Sequence, residues 1–561
     1  MRSSKFISIA LASFILSSCT TVTNTPPATV AFTIFSLNDF HGHIQDHDPV
    51  PMLVNLPNQS KIPAGGYAYL SSLLEQRRAA NPNSILVGAG DLIGASPINS
   101  ALLQDEPVIQ ALNSMKLSVT ALGNHELDQG AQKFLDKIQG KCPKTGCALS
   151  NFKGANYSYI AANVIDKQSG KPWLQPYVMR QVGAVKIAFI GAITNDTPNL
   201  VAQDGIRELQ FEDEAVAINR YIPEVKKLGA DFIVVLIHEG GIHKATAQEK
   251  PYECTDFNGP IVAINQKIDP AVGLIVSGHT HQGYTCKLNG RLVLQGRSYG
   301  SYLSEANFVI DSKTKQIISA EAQNHLVQQA TITPDLQARS LVENISQITQ
   351  QIRQRPITQL QAALTRSSVA SGLNGWDSSL GNVVADAQLA FAKKVGGADI
   401  AFMNSGGLRS DLPSNPSSFP VTITYGDLYA TQPFDNKLIY MQLTGAQIRS
   451  LLEQQWQGRS ADNPKRLYVS QGFNYRYDPK LSLQQRIVSM SLHGQAIEDK
   501  KLYAIVTNHF LADGGDAYTI FKQGINRRLL GSDIEALEDY LKSTPKLNPL
   551  NGPARVQLIS P

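Results

Sequence analysis

The chain is 561 residues long, enough for two or more domains, and its formal net charge is only +4. With that charge spread thinly and no Lys/Arg block, the composition excludes a tract for a nucleic-acid polymer. Past the first residues no apolar stretch reaches membrane-spanning length, so the body reads as soluble.

The N-terminus reads as an export signal. Arg2 and Lys5 form a short basic region, and the apolar run from Phe6 to Leu16 is too short to remain as a spanning helix. Leu16-Ser17-Ser18-Cys19 then resembles the bacterial lipobox. That resemblance implies a lipoprotein-type signal peptide over 1–18, a lipid on Cys19 that anchors the protein to a membrane, and a polar tether over 19–30 containing Pro26-Pro27. Thr20, in place of aspartate, favours the outer membrane in such lipoproteins. The expected location is the periplasm or the outer membrane of a Gram-negative bacterium, with plain cleavage to a soluble periplasmic protein as the alternative. The four remaining cysteines fall in two pairs, Cys142 with Cys147 and Cys254 with Cys286. In an oxidising compartment these read as two disulfides, a cysteine-ligated zinc being the other reading.

From Val30 to about Leu326, five apolar runs each end on residues able to ligate a metal. The first, Phe32 to Leu37, leads into Asn38-Asp39-Phe40-His41-Gly42-His43, and the second, Ser84 to Ala89, into Gly90-Asp91. Leu117 to Leu122 leads into Gly123-Asn124-His125-Glu126-Leu127-Asp128. Asp231 to Ile237 leads into His238, and Val272 to Val276 into Ser277-Gly278-His279-Thr280-His281. Such β-branched runs without alternation predict strands buried on both faces, and helical patterns over 66–80 and 212–228 lie between them. An α/β sandwich with its ligands at the carboxyl ends of strands follows. A sixth run, Lys186 to Ala192, ends without a ligand and reads as scaffold.

Alone, the Asn124–Asp128 stretch could be a polar turn. Eight of the eleven histidines precede residue 282, however, and five of them sit just past these runs, which argues for a shared site. Nitrogen and oxygen donors without thiolate suit zinc, manganese or cobalt. They are too many for one tetrahedral ion, so two metals sharing Asp91 is the economical reading. His43 and His47 match no ligand position.

In this order, the motifs Asp39-x-His41, Gly90-Asp91, Gly123-Asn124-His125-Glu126, His238 and Gly278-His279-Thr280-His281 resemble the calcineurin-like metallophosphoesterases. The resemblance implies a four-layer α/β/β/α sandwich over 31–330 and two divalent ions. Asp39, His41, Asp91 and His281 would hold one ion, and Asp91, Asn124, His238 and His279 the other. Some relatives carry glutamine where His281 stands. Two such ions, about 3.5–4 Å apart, lower the pKa of a water between them. His125 would stabilise charge on the phosphoryl group or assist the leaving oxygen, with Asp128 fixing its tautomer.

Helical spacing of Leu336, Leu341, Ile345, Ile348 and Ile352 predicts a connecting helix, assigned to 331–363, before a second α/β domain over 364–561. Three stretches of this second half narrow the resemblance to the 5'-nucleotidase family: Met403 to Arg409, Thr431 to Asn436 and Asn508 to Asp516. By that resemblance Phe434 and Phe510 stack a base, Asp516 takes the ribose and Arg409 the phosphate, with Asn404 and Asn436 nearby. Members of that family usually carry one or more arginines just before the Leu-Gly-Asn of this domain, contributing to the phosphate or substrate pocket. Here Trp376-Asp377-Ser378-Ser379-Leu380-Gly381-Asn382 has none, and Arg366 is the nearest upstream.

The expectation is an exported, monomeric, dinuclear-metal 5'-nucleotidase acting on nucleoside 5'-phosphates. Its rivals are a 2',3'-cyclic-nucleotide phosphodiesterase or UDP-sugar hydrolase using the same metals, and a nucleoside-binding surface lipoprotein without turnover.

Overall fold

The computed structural model describes residues 28–46, 53–55, 61–144, 146–243, 250–367, 377–414, 416, 418–434, 436–460, 463–544, 547 and 554–559. The expected signal peptide, Cys19, most of the expected tether, His47 and Trp376 lie outside the described residues. Among the described residues, no helix is long and apolar enough to cross a membrane.

Two six-stranded sheets lie face to face in the first half. In spatial order, one contains Ile317–Leu326, Tyr302–Asp311, Thr29–Leu37, Ser84–Ala89, Leu117–Ala121 and Ser158–Ile160. The other contains Gly283–Leu288, Arg291–Gly296, Val272–Ser277, Phe232–His238, Val185–Ile193 and Tyr177–Val182. The runs without alternation are indeed buried on both sides. Phe232, Val234 and Leu236 enter the core between the sheets, while Ile233, Val235 and Ile237 face the helices Glu214–Lys227 and Pro260–Lys267. On the opposite outer face, Phe35 and Leu37 pack beneath Tyr67–Ala80 and Glu106–Ser114. The result is the expected four layers, α/β/β/α. The Lys186–Ala192 run is an inner strand of the second sheet. Its extension supports the site, because Thr194 N–H donates to the His238 carbonyl at 2.9 Å.

Both expected cysteine pairs are bonded. Cys254–Cys286 closes a separation of 32 residues and ties the segment after His238 to the strand after His281. Replacing both cysteines by alanine is expected to lower stability by about 2–4 kcal/mol, read as a shift of the denaturant midpoint.

The connecting helix is shorter than its expected span. It covers Leu336–Arg353, started by the Asp335 carboxylate accepting from Gln337 and Ala338 N–H. Pro356 has no N–H to continue the ladder and disfavours helix at the residue before it. The chain therefore turns extended, and Pro356–Leu360 pairs antiparallel with Val421–Thr424. Beyond it a five-stranded sheet runs in the order Leu467–Val469, Ile400–Asn404, Leu502–Asn508, Lys437–Thr444 and Ile525–Ser532. Ser379–Val395 and Asp533–Ser543 cover one face, and Gly445–Glu453 packs on the other. Ile400–Asn404 and Leu502–Asn508 are parallel neighbours, so Asn404 and Asn508 emerge side by side, with Asn436 at the adjoining start of Lys437–Thr444.

Candidate active site

All seven expected metal ligands converge where the strands of both sheets end. Asp39 follows Thr29–Leu37, Asp91 follows Ser84–Ala89, Asn124 follows Leu117–Ala121, His238 closes Phe232–His238, and His279 follows Val272–Ser277. Ligating atoms of Asp39, His41 and His281 lie within 4.8 Å of one another, as do those of Asp91, His238 and His279. A third group of the same tightness joins His41, Asp91 and His125. Five of the ligands have a left-handed backbone: Asp39 at φ 49°, His41 at 45°, Asp91 at 51°, His279 at 72° and His281 at 54°. Such strain in non-glycine residues persists only where the surroundings over-determine it.

Close approach explains the glycines in the motifs. A Cβ on Gly123 would lie 2.2 Å from both the Asp91 nitrogen and its Oδ1, and one on Gly90 would lie 2.7 Å from His238 Nδ1. Without side chains there, the Asp91 and Asn124 turns pass against each other.

The donor set fits divalent cations. His238 Nδ1–H donates to the Ala89 carbonyl at 2.8 Å and His41 Nδ1–H to the Gly94 carbonyl at 2.9 Å, so each presents Nε2 to the cluster. A backbone carbonyl on the far ring nitrogen is the usual orienting contact of a metal-ligating histidine. His238 Nε2 stands 2.9 Å from Asp91 Oδ2. Nε2 is nevertheless buried without a hydrogen-bond partner, and the Asp91 charge raises His238 to about 10 against the opposing effect of burial, so a divalent cation at this point would satisfy both groups. Burial pushes the Asp91 carboxyl up, but His238, His125 and His41 outweigh it and hold Asp91 well below the usual carboxylate range. Burial keeps His41 and His279 neutral, with lone pairs available. Asn124 Oδ1 is buried without a hydrogen-bond partner, an orphan that a cation would satisfy. Asp39 accepts from His279 N–H at 3.0 and 3.1 Å and lies 3.4 Å from His281 Nε2.

His125 sits at the edge of this cluster with a side chain 15% exposed. Its Nδ1 meets Asp128 at 2.9 and 3.1 Å, and its ring stands edge-on to His41. Burial would depress the imidazolium, but Asp128 and Asp91 outweigh it and raise the His125 pKa above its ordinary value.

A cavity of about 390 Å³ opens over the cluster and reaches into the second half of the chain. Asp91, Asn124, His125, Asp128, His279 and His281 line it from one side. All six residues expected to hold substrate line it from the other: Asn404, Arg409, Phe434, Asn436, Phe510 and Asp516. Asp39, His41 and His238 lie beneath. Asn404 Nδ2 donates to Asp516 Oδ2 at 2.8 Å, and Lys465 Nζ stands 3.4 Å from Asp516 Oδ1. Arg366 is turned away, bonded to the Asp411 carboxylate at 3.0 Å and the Arg409 carbonyl at 2.8 Å. It lines a different cleft. His43 packs its ring on Tyr299 with centroids 4.1 Å apart.

Sequence reasoning missed several contributors. Asn38 Nδ2 donates to Asp39 Oδ2 at 2.7 Å. Leu200, Val201 and Ala202 form an apolar wall of the cavity, and Asn508 and His509 line it beside Phe510. Asn38, Asn508 and His509 lay inside motifs already singled out, whereas nothing in the 200–202 sequence marks it. The largest omission is Glu126. Its buried carboxylate accepts from Asp91 N–H and Gly123 N–H at 2.9 Å and from Leu92 N–H at 2.8 Å, clamping the Asp91 turn to the Asn124 turn. Burial and the nearby Asp91 push this carboxyl up to about 8, against those donors. A glutamine has one acceptor oxygen and must turn its NH₂ toward backbone N–H. Glu126→Gln is therefore expected to weaken metal binding about 10–100-fold in a metal titration, although Glu126 touches no metal position.

Comparison with known proteins agrees with the geometry. Residues 32–283 match the calcineurin-like phosphoesterase family and residues 356–523 the 5'-nucleotidase C-terminal domain. A Listeria monocytogenes cell wall protein is 30% identical over 543 residues, 92% of this chain and 67% of the relative. The chain belongs to the 5'-nucleotidase family. Its members join a metallophosphoesterase domain, which uses divalent metals to hydrolyse phosphoric esters, to a C-terminal 5'-nucleotidase domain. The Bacillus subtilis endonuclease YhcR is 31% identical over 521 residues, 92% of this chain, but the chain spans only 40% of that relative's length. Among solved structures, the 5'-nucleotidase precursor of Thermus thermophilus shares the fold with a TM-score of 0.73 at 24% identity, covering 95% of this chain and all of that one.

Proposed function

We propose that the protein is a dinuclear-metal 5'-nucleotidase that releases phosphate from nucleoside 5'-phosphates such as AMP. One observation carries the reading. A single cavity joins the carboxylate–imidazole cluster, the His125–Asp128 pair, an arginine, two phenylalanines and a carboxylate held by an amide. These are the groups needed to polarise a phosphoryl centre, grip its oxygens, stack a base and bind ribose hydroxyls. Asp39, His41, Asp91 and His281 would hold one ion, and Asp91, Asn124, His238 and His279 the second. The metals, zinc, manganese or cobalt, would supply an activated water and Lewis-acid charge neutralisation. Arg409 binds phosphate oxygens, Phe434 and Phe510 hold the base, and Asp516, set by Asn404, accepts from the ribose. Asn436 stands beside them. His125, its Nδ1–H on Asp128, directs Nε2 toward developing charge or the leaving oxygen. In this reading 31–330 is the catalytic domain and 364–561 the nucleotide-binding domain, with the connector of 331–363 between them. Export, with a lipid on Cys19, agrees with the two disulfides and with the cell-wall location in the name of the Listeria relative.

A second reading, phosphodiester hydrolysis, is favoured by the name of the Bacillus relative and by Arg366 facing away from the cavity. The deciding experiment offers the metal-loaded protein AMP, 2',3'-cyclic AMP, UDP-glucose and a single-stranded oligonucleotide. Preferential release of phosphate from AMP supports the nucleotidase. Faster turnover of a diester replaces that substrate and keeps the site, and no turnover of any of them favours a binding protein.

A further inference from the structure

The second half of the chain contributes to the site in a way that substrate binding does not account for. Phe434 belongs to the turn between Tyr425–Thr431 and Lys437–Thr444, far in sequence from the metal cluster. Its ring nevertheless lies nearly parallel to the His125 imidazole, with centroids 5.8 Å apart and planes 16° from each other. That is the offset-stacked arrangement aromatic rings prefer. The other constraints on the imidazole come from its own half. Asp128 holds Nδ1 at 2.9 Å, the His41 ring stands edge-on with centroids 5.0 Å apart, and the His125 backbone N–H donates to Asp91 Oδ1 at 2.9 Å. The carboxylate fixes the direction of the Nδ1 bond but leaves the imidazole plane free to rock about it. A flat ring stacked on the imidazole face removes that freedom.

The Phe434 turn is itself held in place. Arg409 N–H donates to the Thr431 carbonyl at 2.9 Å, and the Arg409 guanidinium lies 5.9 Å from the Phe434 ring centroid. Arg409, Phe434 and His125 thus meet at the junction between the halves of the chain.

We propose that Phe434 is a positioning residue for His125, setting the plane of the imidazole from the opposite half of the chain, in addition to any contact with a base. The proposal rests on the reading of His125 as the catalytic histidine. It makes turnover depend on the second half even for a substrate with nothing to stack.

The test compares the intact protein with Phe434→Ala, Phe434→Leu and Phe434→Tyr on AMP and on two phosphate esters without a base, ribose 5-phosphate and p-nitrophenyl phosphate. Melting temperature and metal content serve as fold controls. A positioning role predicts that Phe434→Ala lowers kcat about tenfold on saturating AMP and on the base-free esters, with little change of KM for the latter. Tyrosine, which keeps the flat face, should restore kcat, whereas leucine, which fills the volume alone, should not. If Phe434→Ala raises KM for AMP while kcat on AMP and on the base-free esters stays at the wild-type value, Phe434 acts only on the base and the proposal fails. Equal activity of the leucine and tyrosine variants overturns it as well, because volume alone would then suffice. Failure of the intact protein to hydrolyse any phosphomonoester would instead overturn the nucleotidase reading, so the two failures are distinguishable.

Discussion

Asp91→Ala is expected to take turnover to background and to release metal from the protein. Asp91 is the side chain assigned to both ligand groups, with Oδ2 2.9 Å from His238 Nε2 and 3.6 Å from His41 Nε2. Its Oδ1 also accepts the His125 N–H, so the carboxylate joins the cluster to the His125 turn. In the proposed two-metal reading, neither half of the set would be complete without the shared ligand, and the activated water that such a pair supplies near neutral pH would be lost. A separate effect should appear in the metal-free chain. Removing one partner from a buried ionic cluster leaves the other without compensation, at about 3–5 kcal/mol. Metal analysis, phosphate release and urea unfolding of the metal-free form check the three consequences. Asp91→Asn refines the result, since an amide oxygen can still accept the His125 N–H but brings no charge. Full metal content in Asp91→Ala would refute the shared-ligand assignment.

His125→Ala should behave differently. Its Nδ1 is committed to Asp128 and its ring lines the cavity instead of lying beneath it. Turnover is expected to fall about 10²–10⁴-fold, the usual contribution of a positioned proton donor or acceptor, while metal content stays near that of the intact protein. The contrast with Asp91→Ala is the informative part. The third tight group, His41 with Asp91 and His125, offers the rival in which His125 is itself a ligand. Loss of one metal equivalent in His125→Ala would establish that rival and remove the catalytic assignment. Asp128→Asn should retain metal and lose part of the rate, because an amide can present either its NH₂ or its oxygen to Nδ1 and no longer enforces one tautomer.

The shared cavity also links these residues to specificity. Arg409 is the arginine that lines it, and Arg366, the upstream candidate, is held outside by Asp411. The wall formed by Leu200, Val201 and Ala202 faces the second half of the chain, and Lys522 reaches across to Gln203 Oε1 at 3.0 Å. In the proposed reading, substrate selection would draw on both halves.

Apolar runs ending on ligand-type residues were enough to predict an α/β sandwich with those residues at the carboxyl ends of its strands, and the family resemblance added the four-layer order. Ligands placed just past buried apolar runs must gather at one edge when those runs become parallel strands, and a run that is apolar at every position, as in Phe232–His238, must be covered on both faces. The six expected substrate residues came from the family resemblance of three short motifs rather than from patterning, and folding gathers all six around one cavity. Tertiary structure alone decided the rest. Glu126 belonged to a motif but carried no assigned role until folding brought the Asp91, Leu92 and Gly123 N–H groups around its carboxyl group. The end of the connecting helix was settled by Pro356 together with the pairing of Pro356–Leu360 to Val421–Thr424, a contact more than sixty positions away in sequence. Leu200–Ala202 as a cavity wall and Phe434 against His125 were beyond sequence patterning altogether. Periodicity reports which face of an element is buried, but not which distant surface comes to cover it.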